Sequence, residues 1–293
     1  MSSIKDRQRA AARARLEKEM AERAEAARKR RQRQTIIGAA IAVVVVAGGA
    51  IWLVTALGND DKPKNVAGAP PPGTVACTWT PEAGGEAQGG AKPVDVGTPP
   101  ASASNIGKDT LTMTTSLGVV EATVDKSKTP CTASAFEFLA SKKFWDGSKC
   151  HRMTTQGIKV LQCGDPTAKG KGYRKTDGTG GPSFRYAEEN LPTNAAGGGA
   201  SPPADGSGAN AGAYPVGSIA MAKTQEPGST GSQFFIVYGE TPLPPDYTLL
   251  GSITKGMDII QKVAKGGVDD ANGPGDGHPK VEIEIKSLAM AAA

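Results

Sequence analysis

One uncharged stretch constrains this chain more than any other feature. The 23 residues from Thr35 to Leu57 contain no charged side chain. At a rise of 1.5 Å per residue, a helix of that length crosses the roughly 30 Å hydrocarbon core of a membrane. A cleaved secretory signal is the alternative, but its apolar core usually has only about 7 to 15 residues. The length therefore predicts a retained transmembrane helix.

The positive charge of the chain is concentrated before this stretch. Residues 1–34 hold twelve Lys or Arg against five Asp or Glu, a net charge of +7, whereas the whole chain carries +5. Because Lys and Arg are enriched on the cytoplasmic side of membrane helices, we expect residues 1–34 in the cytoplasm and everything after Leu57 outside it. The remainder is slightly acidic, which argues against a nucleic-acid-binding protein.

Composition divides the rest of the chain into a linker, a folded domain and a short tail. Residues 58–104 are rich in Pro, Gly and Ala, which predicts a linker that touches folded protein near Cys77 and Trp79. Residues 105–288 contain a hairpin pattern around Ser116-Leu117-Gly118, short apolar runs broken by Gly and Pro, and helical patterns at 129–144 and 256–266. This pattern predicts a mainly β domain, an antiparallel barrel with two helices over its ends. A low-complexity insertion occupies residues 194–215. Residues 289–293 are left as a tail, and the oligomeric state stays open.

All four cysteines follow the apolar stretch. An even number in an exported domain indicates two disulfides, for which three pairings exist. Cys150 and Cys163 flank a predicted strand pair, which favours a bond between them and leaves Cys77 to join the linker to Cys131. The chain has only two histidines and no Cys-x-x-Cys pair, so no metal or other cofactor is predicted.

The candidate site combines one cation, amide side chains and apolar residues. Arg152 falls on one predicted strand and Gln162 on the next, and later strands add Ala222, Gln233 and Phe235. No Gly-x-Ser-x-Gly motif is present to supply a serine nucleophile. The pattern is typical of a groove that binds its ligand without forming a covalent bond to it.

Five sequence blocks follow one another along the domain: Cys150-His151-Arg152, Gln162-Cys163-Gly164-Asp165, Gly178 to Gly181, Ala220 to Thr224 and Gly231 to Ile236. In this order they resemble the motifs of the cyclophilin family of peptidyl-prolyl cis-trans isomerases. The apolar stretch, linker and cysteines also resemble the exported cyclophilins of actinobacteria. The resemblance implies a closed, eight-stranded antiparallel barrel capped by two helices. It further implies isomerisation of X-Pro bonds in proline-containing peptides and unfolded exported proteins.

The resemblance also implies roles for individual residues. Arg152 is expected to donate a hydrogen bond to the prolyl nitrogen, and Gln162 to hold the carbonyl side of the substrate. Phe234 is expected to face the barrel interior, because neighbouring residues of a strand point to opposite faces. The other expected substrate contacts, in the proline pocket and along the bound peptide, are Val160, Met221, Ala222, Lys223, Gln233, Phe235, Leu243, Tyr247 and Gly178.

Lys159 stands where the family usually has a pocket phenylalanine. Because burying a charged head is costly, we expect Lys159 to turn outward with only its stem packed, and Ile158 to shift into the pocket. Lys159 and Lys223 leave two interpretations open. They weaken proline catalysis, which would make the chain a cyclophilin-fold peptide-binding module or scaffold, or they favour acidic peptides.

Overall fold

The computed structural model describes residues 70–82, 91–192 and 213–293, which belong to one compact unit from Ala69 to Ala293. The predicted basic segment at 1–34 and the predicted membrane helix at 35–57 lie outside the described residues. None of the helices in the described ranges has the length and apolar character needed to cross a bilayer.

The described residues form fourteen strands and two helices. Ten strands make one antiparallel sheet, and two small strand pairs flank it. In spatial order the sheet contains β13 (Asp276–Gly277), β7 (Arg152–Thr154), β8 (Val160–Cys163), β11 (Phe234–Val237), β10 (Ser218–Met221), β12 (Leu249–Lys255), β5 (Gly118–Asp125), β4 (Lys108–Thr115), β14 (Glu284–Ala292) and β6 (Ser148–Lys149). The flanking pairs are β1 (Thr74–Ala76) with β3 (Ser102–Ser104) and β2 (Thr80–Pro81) with β9 (Phe184–Arg185). The helices are α1 (Pro130–Ser141) and α2 (Met257–Lys265).

The sheet is an open half-barrel. Its strand order ends at β13 and β6, and no ladder in the described residues joins these two ends. The chain itself runs from one end of the sheet to the other at Cys150 and His151. The Cys150 N–H donates to the Ile283 carbonyl, just before β14, whereas the His151 N–H donates to the Gln162 carbonyl in β8. Because the strand changes its neighbour within one residue, the ladder breaks there. The predicted closed, eight-stranded barrel is therefore wrong in strand number and in closure.

The predicted hairpin and both predicted helices are confirmed. β4 and β5 pair over all eight residues of each strand. Helix α1 begins at Pro130, whose fixed φ suits the first helical position. The Glu189 carboxylate accepts hydrogen bonds from the N–H groups of Cys131 and Thr132 at 3.0 and 2.8 Å. This carboxylate therefore places negative charge at the positive end of the helix dipole.

The folded unit begins earlier than the sequence predicts. Residues 70–82 and 91–104, predicted as linker, pack against the domain. The Trp79 ring meets Phe184 and Tyr186 edge to face, with centroids 5.5 and 5.4 Å apart. Val94 and Val96 also pack against the hydrophobic core, and the N–H groups of Glu82 and Val94 donate to the carbonyls of Ser183 and Gly181. A Pro- and Gly-rich composition does not reveal such contacts. At the other end, the predicted tail forms the end of β14, since Ala289 to Ala292 pair with β4.

Two disulfides join parts of the unit that are separate in sequence. Cys77 bonds to Cys131 in α1, and Cys150 bonds to Cys163 in β8. This is the pairing that the sequence favours. The first bond ties the segment at 70–82 to the domain, and the second fixes the chain where it switches between the sheet edges.

Candidate active site

Strand register places the main site residues on one face of the sheet. Arg152 lies directly opposite Gln162, Gln162 opposite Phe235, and Phe235 opposite Ala220. Directly paired residues of antiparallel strands point to the same face. The residues that alternate with them point into the main core, where they are fully or almost fully buried: Met153, Leu161, Ile219 and Ile236. The row from Arg152 to Ala220 therefore forms the outer face.

A continuous chain of hydrogen bonds runs from Arg152 to the loop that contains Gly178. Arg152 Nη1 donates to Gln162 Oε1 at 3.3 Å, and Gln162 Nε2 donates to Gln233 Oε1 at 3.0 Å. Gln233 Nε2 in turn donates to the carbonyls of Gly178 and Gly180, both at 2.9 Å. Each amide thus accepts from one neighbour and donates to the next, which orients both glutamine side chains.

Asp276, which the sequence did not single out, holds the guanidinium of Arg152. Its two carboxylate oxygens accept from Arg152 Nε at 2.9 Å and from Nη2 at 2.6 Å, a bidentate pair. These hydrogen bonds raise the pKa of Arg152 and lower the pKa of Asp276, so both stay charged. Of the five guanidinium N–H groups, three bind Asp276 and Gln162, and the other two have no acceptor in the described part of the chain.

A buried carboxylate holds the loop from Gly178 to Pro182, called here the glycine loop. Asp165 is fully buried and accepts from the backbone N–H of Gly178 at 2.6 Å and of Gly180 at 3.1 Å. A Cβ at position 180 would clash with the Asp165 carboxylate, so this position requires glycine. The loop carbonyls that receive Gln233 are therefore fixed on both sides.

An apolar cluster, called here the outer cluster, lies on the same face as this network. Its buried members are Val160, Tyr214, Ala220, Phe235 and Val237, and Ile158, Ala213, Ala222, Leu243, Tyr247 and Leu249 pack against them partly exposed. The rings of Phe235 and Tyr247 meet edge to face at 5.5 Å. The cluster therefore offers a partly open apolar surface next to Arg152 and Gln162.

The structure places one predicted pocket residue, Met221, in the main core. Met221 pairs with Phe234 on the opposite face of the sheet and is fully buried in the main core, so its prediction as a pocket residue is wrong. Phe234 lies in the core, as strand alternation predicts. Lys159 is exposed, and its aliphatic stem lies over Gly239. Ile158 packs against the outer cluster, so Lys159 does not obstruct it.

Lys223 lies at the rim of the outer cluster. Its Nζ is 5.8 Å from the centre of the Tyr247 ring and donates to the Thr224 carbonyl at 3.3 Å. Beyond it, a cleft of about 240 Å³ is lined by Gln162, Gln233, Ala222, the loop from Gly178 to Pro182 and residues of the N-terminal segment. That segment contributes Glu82 and Pro93, which the sequence placed in a linker.

His151 precedes Arg152 but lies under the glycine loop. It is buried, packs beneath Gly178, and neither ring nitrogen has a hydrogen-bond partner among the described residues. Burial lowers the pKa of His151 to about 4, so the ring is neutral near pH 7. His151 therefore has no access to a ligand on the outer face.

Taken together, the site has one fixed cation, an oriented amide network and an open apolar surface. In the described ranges, no three His, Cys, Asp or Glu side chains lie close enough to hold a metal ion. A fixed cation, oriented amides and a partly open apolar surface suit the noncovalent binding of an extended peptide.

Comparisons with known proteins identify the family. Residues 110–290 match the model of the "Cyclophilin type peptidyl-prolyl cis-trans isomerase/CLD" family. The "Probable peptidyl-prolyl cis-trans isomerase B" of Mycobacterium leprae is 37% identical over 218 residues, which are 74% of this chain and 67% of that protein. The chain therefore belongs to the cyclophilin-type peptidyl-prolyl cis-trans isomerases, a family of isomerases.

Two further similar proteins are another mycobacterial relative and a solved structure. The protein of the same name from Mycobacterium tuberculosis (strain CDC 1551 / Oshkosh) is 37% identical over 188 residues, or 61% of this chain. The chain spans only 54% of that relative. A solved cyclophilin-type isomerase from Cryptosporidium parvum is 21% identical, with a TM-score of 0.48 over 64% of this chain and 99% of its own.

Proposed function

We propose that this protein is a peptidyl-prolyl cis-trans isomerase that acts on X-Pro bonds of exported polypeptides and assists their folding. The observation that carries the proposal is the position of Arg152. Asp276 and Gln162 fix its guanidinium beside the outer cluster, and two of its N–H groups stay available.

The chemistry of peptide-bond rotation fits such a site. Resonance in the amide gives rotation a barrier of about 18–20 kcal/mol, and the two isomers of an X-Pro bond differ by only about 0.5–1 kcal/mol. In the twisted transition state the prolyl nitrogen regains its lone pair. A hydrogen bond from Arg152 to that lone pair stabilises the transition state more than the planar ground state. No bond is broken, so no nucleophile is needed.

The remaining site residues position the substrate in this proposal. The proline ring packs on Phe235, Leu243 and Tyr247 in the outer cluster. Gln162 donates to the carbonyl that precedes proline, and backbone groups near Ala222 pair with the extended peptide. The exposed position of Lys159, with its stem over Gly239, supports an active isomerase rather than a weakly active binding module.

An isomerase assay on the unit from Ala69 to Ala293 tests the proposal. A protease-coupled X-Pro peptide assay should give a clear rate for the wild type and a roughly 100-fold lower kcat/KM for Arg152→Ala, since one transition-state donor is lost. Lys255→Ala is the control, because Lys255 forms a largely exposed ion pair with Glu121 between β12 and β5. A wild-type rate no higher than that of Arg152→Ala, with peptide binding retained, would instead identify a peptide-binding module.

The proposed location is outside the cytoplasm, with one membrane-spanning helix at 35–57. Two disulfides support it, because such bonds persist mainly in oxidising compartments. Slow X-Pro isomerisation, tens of seconds unaided, would limit the folding of polypeptides that emerge there. A membrane-impermeant amine reagent added to intact cells should label lysines of the folded unit and none in residues 1–34. The reverse pattern would contradict the location.

A further inference from the structure

The outer cluster includes a residue from an insertion that the sequence did not connect with the site. Residues 194–215 read as a low-complexity insertion, and of these the structure describes 213–215. Just before β10, Tyr214 enters the outer cluster and is only 2% exposed. A residue this buried does not touch a bound peptide directly, so any influence on the site must act through its neighbours.

Three aromatic rings pack together at this point. The Tyr214 ring lies edge to face on Phe235, with centroids 6.2 Å apart, and on Tyr247, with centroids 6.3 Å apart. Phe235 and Tyr247 also meet edge to face. Such pairs are worth about 0.5–1.5 kcal/mol beyond the area they bury. The residue that strand β8 contributes to the outer cluster is Val160, which is aliphatic. Tyr214, rather than β8, therefore supplies the third aromatic ring beside Phe235 and Tyr247.

The hydroxyl group of Tyr214 also holds the backbone of Tyr247. It donates to the Tyr247 carbonyl at 2.9 Å and accepts from the Tyr247 N–H at 2.9 Å. Tyr247 lies between β11 and β12, outside any strand, so it has no ladder partner to fix it. Burial raises the pKa of Tyr214, which keeps the hydroxyl protonated and able to make both bonds.

We propose that Tyr214 is a positioning residue of the proline pocket, which holds Tyr247 in place and supports Phe235 from behind. The inference rests on the proposed isomerase function and deepens it. Tyr214 makes no hydrogen bond to Arg152, Gln162 or Gln233. Its loss should therefore weaken binding of the proline ring and leave the transition-state hydrogen bond intact.

Tyr214→Phe isolates the role of the hydroxyl, because it keeps the ring and removes both bonds to Tyr247. We expect KM and the peptide Kd to rise about tenfold, with kcat changed less than about twofold. Tyr173→Phe is the matched control: its hydroxyl donates to the Pro279 carbonyl at 3.0 Å, and its ring stacks on His278, outside the outer cluster. If Tyr214→Phe lowers the melting temperature like this control and leaves KM unchanged, Tyr214 is merely structural and the inference fails.

A double-mutant cycle tests whether Tyr214 acts through Tyr247. Tyr247→Ala removes the ring that Tyr214 positions, so adding Tyr214→Phe to it should produce no further rise in KM or Kd. Effects that add fully would overturn the inference. Calorimetric Kd values for an X-Pro peptide separate this outcome from failure of the proposed function. Without turnover there would be no KM to measure, but the Kd cycle would still decide the role of Tyr214.

Discussion

Replacing Asp276 with Asn should slow catalysis by loosening Arg152 without removing it. The amide keeps one acceptor oxygen but presents an NH2 donor to the guanidinium, so one of the two hydrogen bonds is lost and the other becomes neutral. Hydrogen bonds to charged groups contribute about 1.5–3 kcal/mol each. Since the side chains of Arg152 and Asp276 are 38% and 27% exposed, solvent screening reduces this to about 1–2 kcal/mol. We expect kcat/KM to fall roughly 5- to 30-fold.

The protease-coupled assay of Asp276→Asn measures this effect. Gln162 still holds Nη1, so the loss should stay smaller than that of Arg152→Ala. Glu121→Gln is the control: Glu121 forms a partly exposed ion pair with Lys255 at 3.0 Å between β5 and β12, and this substitution should leave kcat/KM unchanged. In an Arg152→Ala background, Asp276→Asn should have no further effect. Wild-type activity for Asp276→Asn, or a full loss on top of Arg152→Ala, would refute the positioning role.

The same ion pair has a defined pH dependence. The hydrogen bond from Arg152 lowers the pKa of Asp276, so the carboxylate binds a proton less readily in the folded than in the unfolded protein. Its contribution to stability is therefore fully present above the unfolded pKa of about 3.9 and is lost as pH falls through the lower folded pKa. Asp276→Asn should consequently lower stability at pH 6 and lose this effect in strong acid.

Three further outcomes follow from burial and connectivity. Lys159→Phe should change kcat/KM less than about twofold, because the Lys159 side chain lies over Gly239. A clear rise of kcat/KM in the peptide assay would show that position 159 reaches the pocket. Replacing Cys77 and Cys131 by Ser should lower the free energy of unfolding, measured by urea titration, by about 4 kcal/mol, because the disulfide closes a loop of 54 residues. A loss below about 1 kcal/mol would contradict the expected effect of this cross-link. Buried His151 must become charged on unfolding in acid, so stability should fall by about 3 kcal/mol as pH drops from 6.5 to about 4. An NMR titration that shows His151 protonated in the folded protein at pH 6 would contradict this.

Local patterns in the sequence predicted the parts of the fold that neighbours in the chain determine. The β4–β5 hairpin and both helices need only short-range periodicity, and all three are present. The sheet opens at Cys150 and His151, because these two neighbouring N–H groups donate to different strands. No periodic pattern records such a switch. Alternation along β10 places Met221 on the core face with Ile219, although the motif that contains it borders the site.

The candidate site likewise combines residues that sequence motifs reveal with residues that they do not. Arg152, Gln162 and Phe235 lie in motifs that the sequence reveals, whereas Asp276 and Tyr214 lie in segments rich in Gly, Ala and Pro without periodicity. Asp276 reaches Arg152 across 124 positions, and Tyr214 reaches Tyr247 across 33.

Asp276 and Tyr214 both contact other site residues rather than the substrate. In a reaction that breaks no bond, the rate depends on how well one donor and one apolar surface are aligned in the twisted state. Residues that maintain this alignment therefore influence the rate through geometry alone. Their chemistry is ordinary, an aspartate and a tyrosine, and only their positions in the folded chain distinguish them.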